Sequence, residues 1–195
     1  MPTPPSLVLA STSRYRAELL GRLAIPFQTA RPQVDETPLP GESPQSTAER
    51  LAEAKARAVA QEYPDALIIG SDQVAYLDKQ IFGKPGDAPH AIAQLRTMRG
   101  QTVIFHTALA VLNTRTQRLQ QCAVPTQVKF RKLSDEEINR YVALEQPFDC
   151  AGSAKSEGLG ITLLEALSGD DPTALIGLPL IALSHMLRQE GLQLP

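Results

Sequence analysis

Ala66-Leu67-Ile68-Ile69-Gly70-Ser71-Asp72-Gln73-Val74 sits at the centre of how this chain folds and what it does. Four apolar residues, two of them β-branched, predict a buried strand, which breaks at Gly70 into a polar triplet before the chain turns apolar again at Val74. A strand that carries an acid to its end is a chemical arrangement, because burying an unpaired carboxylate costs on the order of several kcal/mol. Asp72 is therefore expected against a metal, a cation or the wet edge of a cleft. The plainer alternative is an acid that only fixes a turn through its own side chain.

Working outward towards the N-terminus, Leu7-Val8-Leu9-Ala10 reads as a short strand, Ser11-Thr12-Ser13 as a hydroxyl turn, and residues 14–23 as a helix with Leu19, Leu20 and Leu23 on one face. Backbone amides and hydroxyls at a helix N-terminus can cradle phosphate, or Ser13 simply caps the helix. Arg16 falls on the apolar stripe of Leu19 and Leu20, where a cation either meets an anion or stretches out to water. Residues 31–46 hold four prolines and read as a surface loop, in which Asp35 and Glu36 are usual solvated acids or, as hard oxygen donors, candidates for a magnesium ion. Ser46 and Glu49 predict a capping box opening a helix to about Glu62, with Leu51, Lys55, Ala58 and Val59 on one stripe. Lys55 is thus a second cation on an inward face, with the same two readings as Arg16.

Beyond Asp72, Ala75-Tyr76-Leu77 and Gln80-Ile81-Phe82 flank Asp78-Lys79 as a two-residue hairpin, whose return strand is expected to bring Lys84 back near Asp72. Asp87 caps a helix over residues 88–99 that stops at Gly100. Residues 101–112 and 119–132 form a hairpin, and Pro125 predicts that its second strand lies at an edge or is bulged. Ser134 and Glu137 form another capping box, for a helix ending near Pro147. The loop from Cys150 to Ile161 is rich in glycine and serine and suits close backbone approach to a ligand, although a plain surface loop has the same composition. A strand over 162–167 and a helix from Pro179 to Glu190, with Leu180, Leu183 and Leu187 inward, complete the chain.

The 195 residues suit one α/β domain spanning 1–195, or at most two small lobes sharing a cleft. A net charge of −2 with no basic tract argues against a nucleic-acid polymer as partner. No run approaches the length of a membrane span, and Cys122 and Cys150, the only cysteines, form no CxxC pair, so a reducing, cytoplasmic setting is expected. P-loop and dinucleotide-binding glycine patterns are missing, and His90, His106 and His185 lack metal-ligand spacing. What remains is acids and inward cations: Arg16, Lys55 and Lys84 to neutralise a polyphosphate, Asp72 with Glu36 to hold a divalent metal or activate a water. Residue patterns alone reach an α/β phosphate-handling enzyme.

At these residues the chain resembles the Maf family of nucleoside triphosphate pyrophosphatases. The resemblance is carried by Leu9-Ala10-Ser11-Thr12-Ser13 with Arg16 and Leu19-Leu20, by Val34-Asp35-Glu36, Ala54-Lys55-Ala56 and Gly70-Ser71-Asp72-Gln73-Val74, and by Gly83-Lys84-Pro85, Ala151-Gly152-Ser153 and Gly177-Leu178-Pro179. It implies an elongated mixed sheet flanked by helices with a cleft between two lobes, like that of inosine triphosphate pyrophosphatases, and often a homodimer. It also implies cleavage of a nucleoside triphosphate to monophosphate and pyrophosphate with magnesium or manganese. In those terms Asp72 is the proton acceptor and a metal ligand with Glu36, and Ser13, Arg16, Lys55 and Lys84 bind phosphate. Arg14 stands where many members have proline. The matching positions Tyr15, Gln73 and Glu157 resemble the branch acting on 7-methyl-GTP, whereas the branch preferring thymidine and uridine triphosphates has Arg, Thr and Gln there. The family's link to septum formation leaves a nucleotide-binding regulator of cell division as the reading from another class.

Overall fold

A computed structural model describes residues 5–195. In chain order these form β1 (Ser6–Ala10), α1 (Arg14–Gly21), β2 (Phe27–Ala30), α2 (Pro44–Ala58), β3 (Ala66–Leu77), β4 (Gln80–Phe82), α3 (Ala88–Met98), β5 (Thr102–Asn113), β6 (Arg118–Phe130), α4 (Asp135–Glu145), β7 (Leu164–Ser168) and α5 (Leu180–Gln189). Through hydrogen-bonded neighbours the strands run β2-β1-β3-β5-β6-β7, with β4 added to β3. The sheet is mixed, as expected: β1 is parallel to β2 and β3, while β4 on β3 and β7 on β6 are antiparallel. The fold has two compact units. One takes the chain through Asp72 with Thr107–Val124 and Asp171–Pro195, and the other takes Gln73–His106 and Pro125–Asp170. Among the described residues no helix is long and apolar enough to cross a membrane.

In the first unit, alternation along β1 and β3 feeds two cores. Leu7, Leu9, Leu67 and Ile69 pack with Leu19 and Leu20 of α1 and with Leu180, Leu183, Met186 and Leu187 of α5. Their neighbours Val8, Ala10, Ala66 and Ile68 pack with Ala56 and Val59, at and just beyond the end of α2. Strands buried on both faces are why the sequence shows unbroken apolar runs here, and each buried leucine contributes roughly 2 kcal/mol.

Gly70 does not break the strand. β3 continues through it to Leu77, because the glycine is where α2 lies against the strand. A methyl group at Gly70 would stand 2.9 Å from the Ala56 nitrogen and closer still to the Ala52 carbonyl oxygen. The cap of α2 also differs from the expected capping box at Ser46. Ser43 is the N-cap, its hydroxyl accepting the Ser46 amide at 3.1 Å, and Pro44 takes the first helical position, where its missing N–H leaves no bond unmade. Strand β2 was not foreseen: its four residues have little pattern of their own and are recruited by parallel pairing to β1.

In the second unit the predicted hairpin is present, with Leu77 opposite Gln80 and Asp78 at φ 53° in the turn. Asp87 caps α3 through the His90 amide, and Ser134 with Glu137 forms both bonds of the expected capping box on α4. β6 is interior in strand order, but β7 covers it only from Gln127 to Phe130, so Pro125 lies outside that ladder, and a register shift falls at Lys129 and Phe130. The predicted last strand starts two residues late, at Leu164, because Leu159–Leu163 winds into a 3-10 turn. Phe82, Leu95, Phe105, Phe130, Ile138 and Val142 fill this core.

The Gly70 contact is directly testable. Gly70→Ala should cost about 2 kcal/mol or more, as overpacking against backbone does, read as a lower urea midpoint at unchanged slope.

Candidate active site

Helix α2 buries Lys55 to 6% exposure beside Leu51, Ala52 and Ala56, although Ala58, expected on the same stripe, is exposed. The ammonium does not reach out to solvent. Its Nζ lies 2.6 Å from Asp72 Oδ1 and 2.8 Å from Glu36 Oε1. Asp72 is half-buried in β3, while Glu36 extends from the proline-rich loop with 59% of its side chain exposed. A buried cation with two carboxylates on it is paired more than once over, which is what a low-dielectric position demands.

Arg16 also turns inward from α1. Its Nε donates to the Gly177 carbonyl at 2.8 Å. Desolvation by burial lowers the guanidinium's pKa from the ordinary arginine value, and the charges of Asp72 and then Glu36 act the other way. The Gly177 carbonyl is held from a second side by Ser71, a fully buried hydroxyl whose proton is shared between Ala108 O at 2.8 Å and Gly177 O at 3.0 Å. Ser13 caps α1, its hydroxyl accepting the Arg16 amide at 3.4 Å while its own amide donates to Ser11 Oγ at 3.1 Å. Parallel pairing of β1 and β3 runs to Leu9 and Ile69, so Ser13 and Asp72 both lie just past its carboxyl end, where ligands bind in α/β sheets. Arg16, Glu36, Lys55 and Asp72 thus gather in the first unit.

Tyr15, in the same unit, is engaged by Arg14, whose guanidinium carbon stands 4.8 Å from the ring centroid while Nη2 donates to the phenol oxygen at 2.7 Å. The other three candidates, Gln73, Lys84 and Glu157, belong to the second unit. Gln73 is half-buried in β3, Lys84 is exposed beyond β4, and Glu157 is exposed in the turn before Leu159. The Lys84 segment is fixed by bonds that sequence reading missed: Gly83 O accepts from the Gly152 amide at 3.3 Å and from Gln94 Nε2 at 3.1 Å, and Gln94 is held in turn by Ser153 Oγ at 2.6 Å.

Glu42 and Arg50 are a second omission. Glu42 accepts from Arg50 Nε at 2.7 Å, Arg50 Nη2 at 2.9 Å, the Leu39 amide at 2.9 Å and Thr47 Oγ1 at 2.9 Å, and Arg50 also donates to Thr37 O, next to Glu36, at 3.1 Å. This clamp ties the Glu36 loop to α2. Among the described residues no group of three or more His, Cys, Asp or Glu is placed to hold a metal. Two carboxylates sharing one ammonium are nevertheless a hard-oxygen donor set that fits magnesium, which takes one or two carboxylates and completes its shell with water and phosphate.

Fold and cluster together define a mixed α/β protein with an acid–cation centre at the carboxyl end of its parallel strands. The sequence matches the Maf-like protein family over residues 6–190, and the chain belongs to that family. It is 70% identical to a 7-methyl-GTP pyrophosphatase of Aromatoleum aromaticum, over 97% of each chain. It is 59% identical to one of Thiobacillus denitrificans, over 97% of this chain and 94% of that one, and 54% identical to one of Nitrosococcus oceani, over 97% and 96%.

Arg50 and the other donors pull the Glu42 carboxyl from 4.5 down to about 2. A depressed folded-state pKa means stability that is whole above the unfolded value and lost as pH falls towards the folded one. Melting temperatures followed from pH 5 to pH 2 should therefore fall less steeply in Glu42→Gln than in the parent.

Proposed function

We propose that this chain hydrolyses a nucleoside triphosphate to the monophosphate and pyrophosphate, with 7-methyl-GTP as its best substrate. The observation that carries the reading is the Lys55 ammonium held between Asp72 and Glu36 with Arg16 alongside, where a polyanion finds cations and a water finds a base. Asp72 takes the proton of a water attacking the α-phosphorus. The bond from that phosphorus to the bridging oxygen breaks, and pyrophosphate leaves with the electron pair. Arg16, Lys55 and Ser13 hold the phosphate chain in line, and family resemblance assigns Lys84 to the same chain. Glu36 and Asp72 would hold a magnesium or manganese ion, whose charge offsets that building on the phosphate oxygens.

The relatives' names support the base. Methylation at the seventh position of guanine makes the base cationic, and an aromatic face such as Tyr15 attracts a cation by about 0.5 to 2 kcal/mol. Glu157 accepts from guanine N–H groups and offsets the same charge, as a neutral amide does not. Gln73 completes the trio by resemblance. The enzyme works in the cytoplasm, in keeping with two cysteines that form no disulfide, as one domain in a homodimer that sedimentation would measure.

Asp72→Asn leaves an oxygen to accept from Lys55 and removes the base, so turnover should fall by about 100-fold or more with the fold intact by circular dichroism. Near-normal turnover would remove Asp72 from this role. A pyrophosphate-release panel with magnesium or manganese should rank 7-methyl-GTP above GTP, thymidine triphosphate and uridine triphosphate. Either pyrimidine nucleotide at the top would move the chain to the other branch.

A further inference from the structure

Glu145 closes α4, and an acid is out of place there, because a helix C-terminus carries partial negative charge and α4 has no basic residue in its last turn. The next residue, Gln146, is left-handed at φ 49°, a conformation that a residue with a side chain seldom takes. Features that oppose a helix locally call for an explanation outside it. The Glu145 carboxylate divides its oxygens between two points of the following loop. Oε1 accepts from Lys155 Nζ at 2.8 Å, and Oε2 accepts from the Leu159 amide at 2.6 Å. Only 11% of the Glu145 side chain and 21% of that of Lys155 are exposed, so the pair is screened less than an ordinary surface pair.

Between these two anchors lies a single β-turn. The Gly158 amide donates to Lys155 O at 3.0 Å, which makes Ser156 and Glu157 the central residues. Tyr141, buried on α4, accepts the Lys155 amide at 3.1 Å. Gly158 leaves room for the carboxylate, since a Cβ there would stand 2.6 Å from Glu145 Oε2. One carboxylate thus grips the turn on both sides of Glu157, whose own side chain is exposed.

We propose that Glu145, with Lys155, is the positioning residue for base preference: it fixes the Lys155–Gly158 turn so that Glu157 presents its carboxylate in one place. This rests on the assignment of Glu157 to the base. Lys155 also offsets the charge of Glu145, so that Glu157 acts without a second net negative charge beside it. Glu145 lies outside the Arg16, Lys55 and Asp72 cluster, which belongs to the other unit.

The test reads the ratio of kcat/KM for 7-methyl-GTP to that for GTP, together with kcat and amide hydrogen exchange over residues 156–159. Glu145→Ala should lower the ratio about tenfold, through KM more than kcat, and speed exchange at Leu159, as loss of a charge-assisted bond does. Glu145→Gln, which can still accept the Leu159 amide, should recover part of both. An unchanged ratio with a lower melting temperature would reduce Glu145 to a buttress, and an equal loss of kcat on both substrates would also overturn the proposal. Glu157→Gln separates the two assignments. If it lowers the ratio and Glu145→Ala does not, the positioning role fails and the base assignment stands, whereas the reverse removes Glu157 from the base and overturns the positioning role with it. Should the alanine variant not fold, Lys155→Met breaks the pair and keeps the Leu159 bond, and it should lower the ratio about threefold, no change being the overturning result.

Discussion

The contact between β3 and α2 at Gly70 is the constraint on which the centre depends. A strand and a helix approach this closely only where one of them lacks a side chain, and here the backbone of Ala52 and Ala56 rests on the glycine. Lys55, between those two alanines, is thereby buried within 2.6 Å of a carboxylate two residues further along the strand. The same approach lets Ile68 of β3 pack with Ala56 in the core. Packing and electrostatics are one arrangement here, since anything that lifts the helix off the strand also separates the ion pair.

Around that pair the charges are close to balanced, two cations, Lys55 and Arg16, facing two carboxylates, Asp72 and Glu36. Lys55 is balanced by Glu36 and Asp72, while Arg16 spends its Nε on a carbonyl and so meets no full negative charge through it. Burial lowers the pKa of the guanidinium and the charges of Asp72 and then Glu36 raise it, so the two acids on Lys55 also steady Arg16. The loop that carries Glu36 is tethered to α2 through Arg50, which holds both Glu42 and the Thr37 carbonyl beside Glu36, and that acid stays exposed yet paired with Lys55.

The second unit uses its irregular segments in the same way. Gly83 is held through Gly152 and Gln94, and the Glu157 turn through Glu145 and Tyr141, so both segments that carry candidate ligand-binding side chains are fixed by backbone bonds while the side chains face outward. Rigid backbone with exposed functional groups is what recognition of a particular base or phosphate requires, because little order remains to be imposed on binding.

Much of this was determined by the sequence itself. Apolar runs in β1 and β3 announce strands buried on both faces, the Asp78-Lys79 pair marks a two-residue turn, and Asp87 and the Ser134–Glu137 pair bond to amides three residues away, all within windows that a linear reading covers. Ordered motifs likewise marked Arg16, Lys55 and Asp72, which the fold does bring together. Tertiary structure alone decided the rest. Gly70 reads as a break until a helix eighteen residues upstream is laid on it, Arg16 finds its acceptor 161 residues away, and the partners of Glu145 lie 10 and 14 residues beyond it across an irregular loop. A short-range hydrogen bond is written in the identity of two nearby residues, whereas these contacts exist only after burial has chosen which distant backbone groups meet, and no local pattern carries that choice.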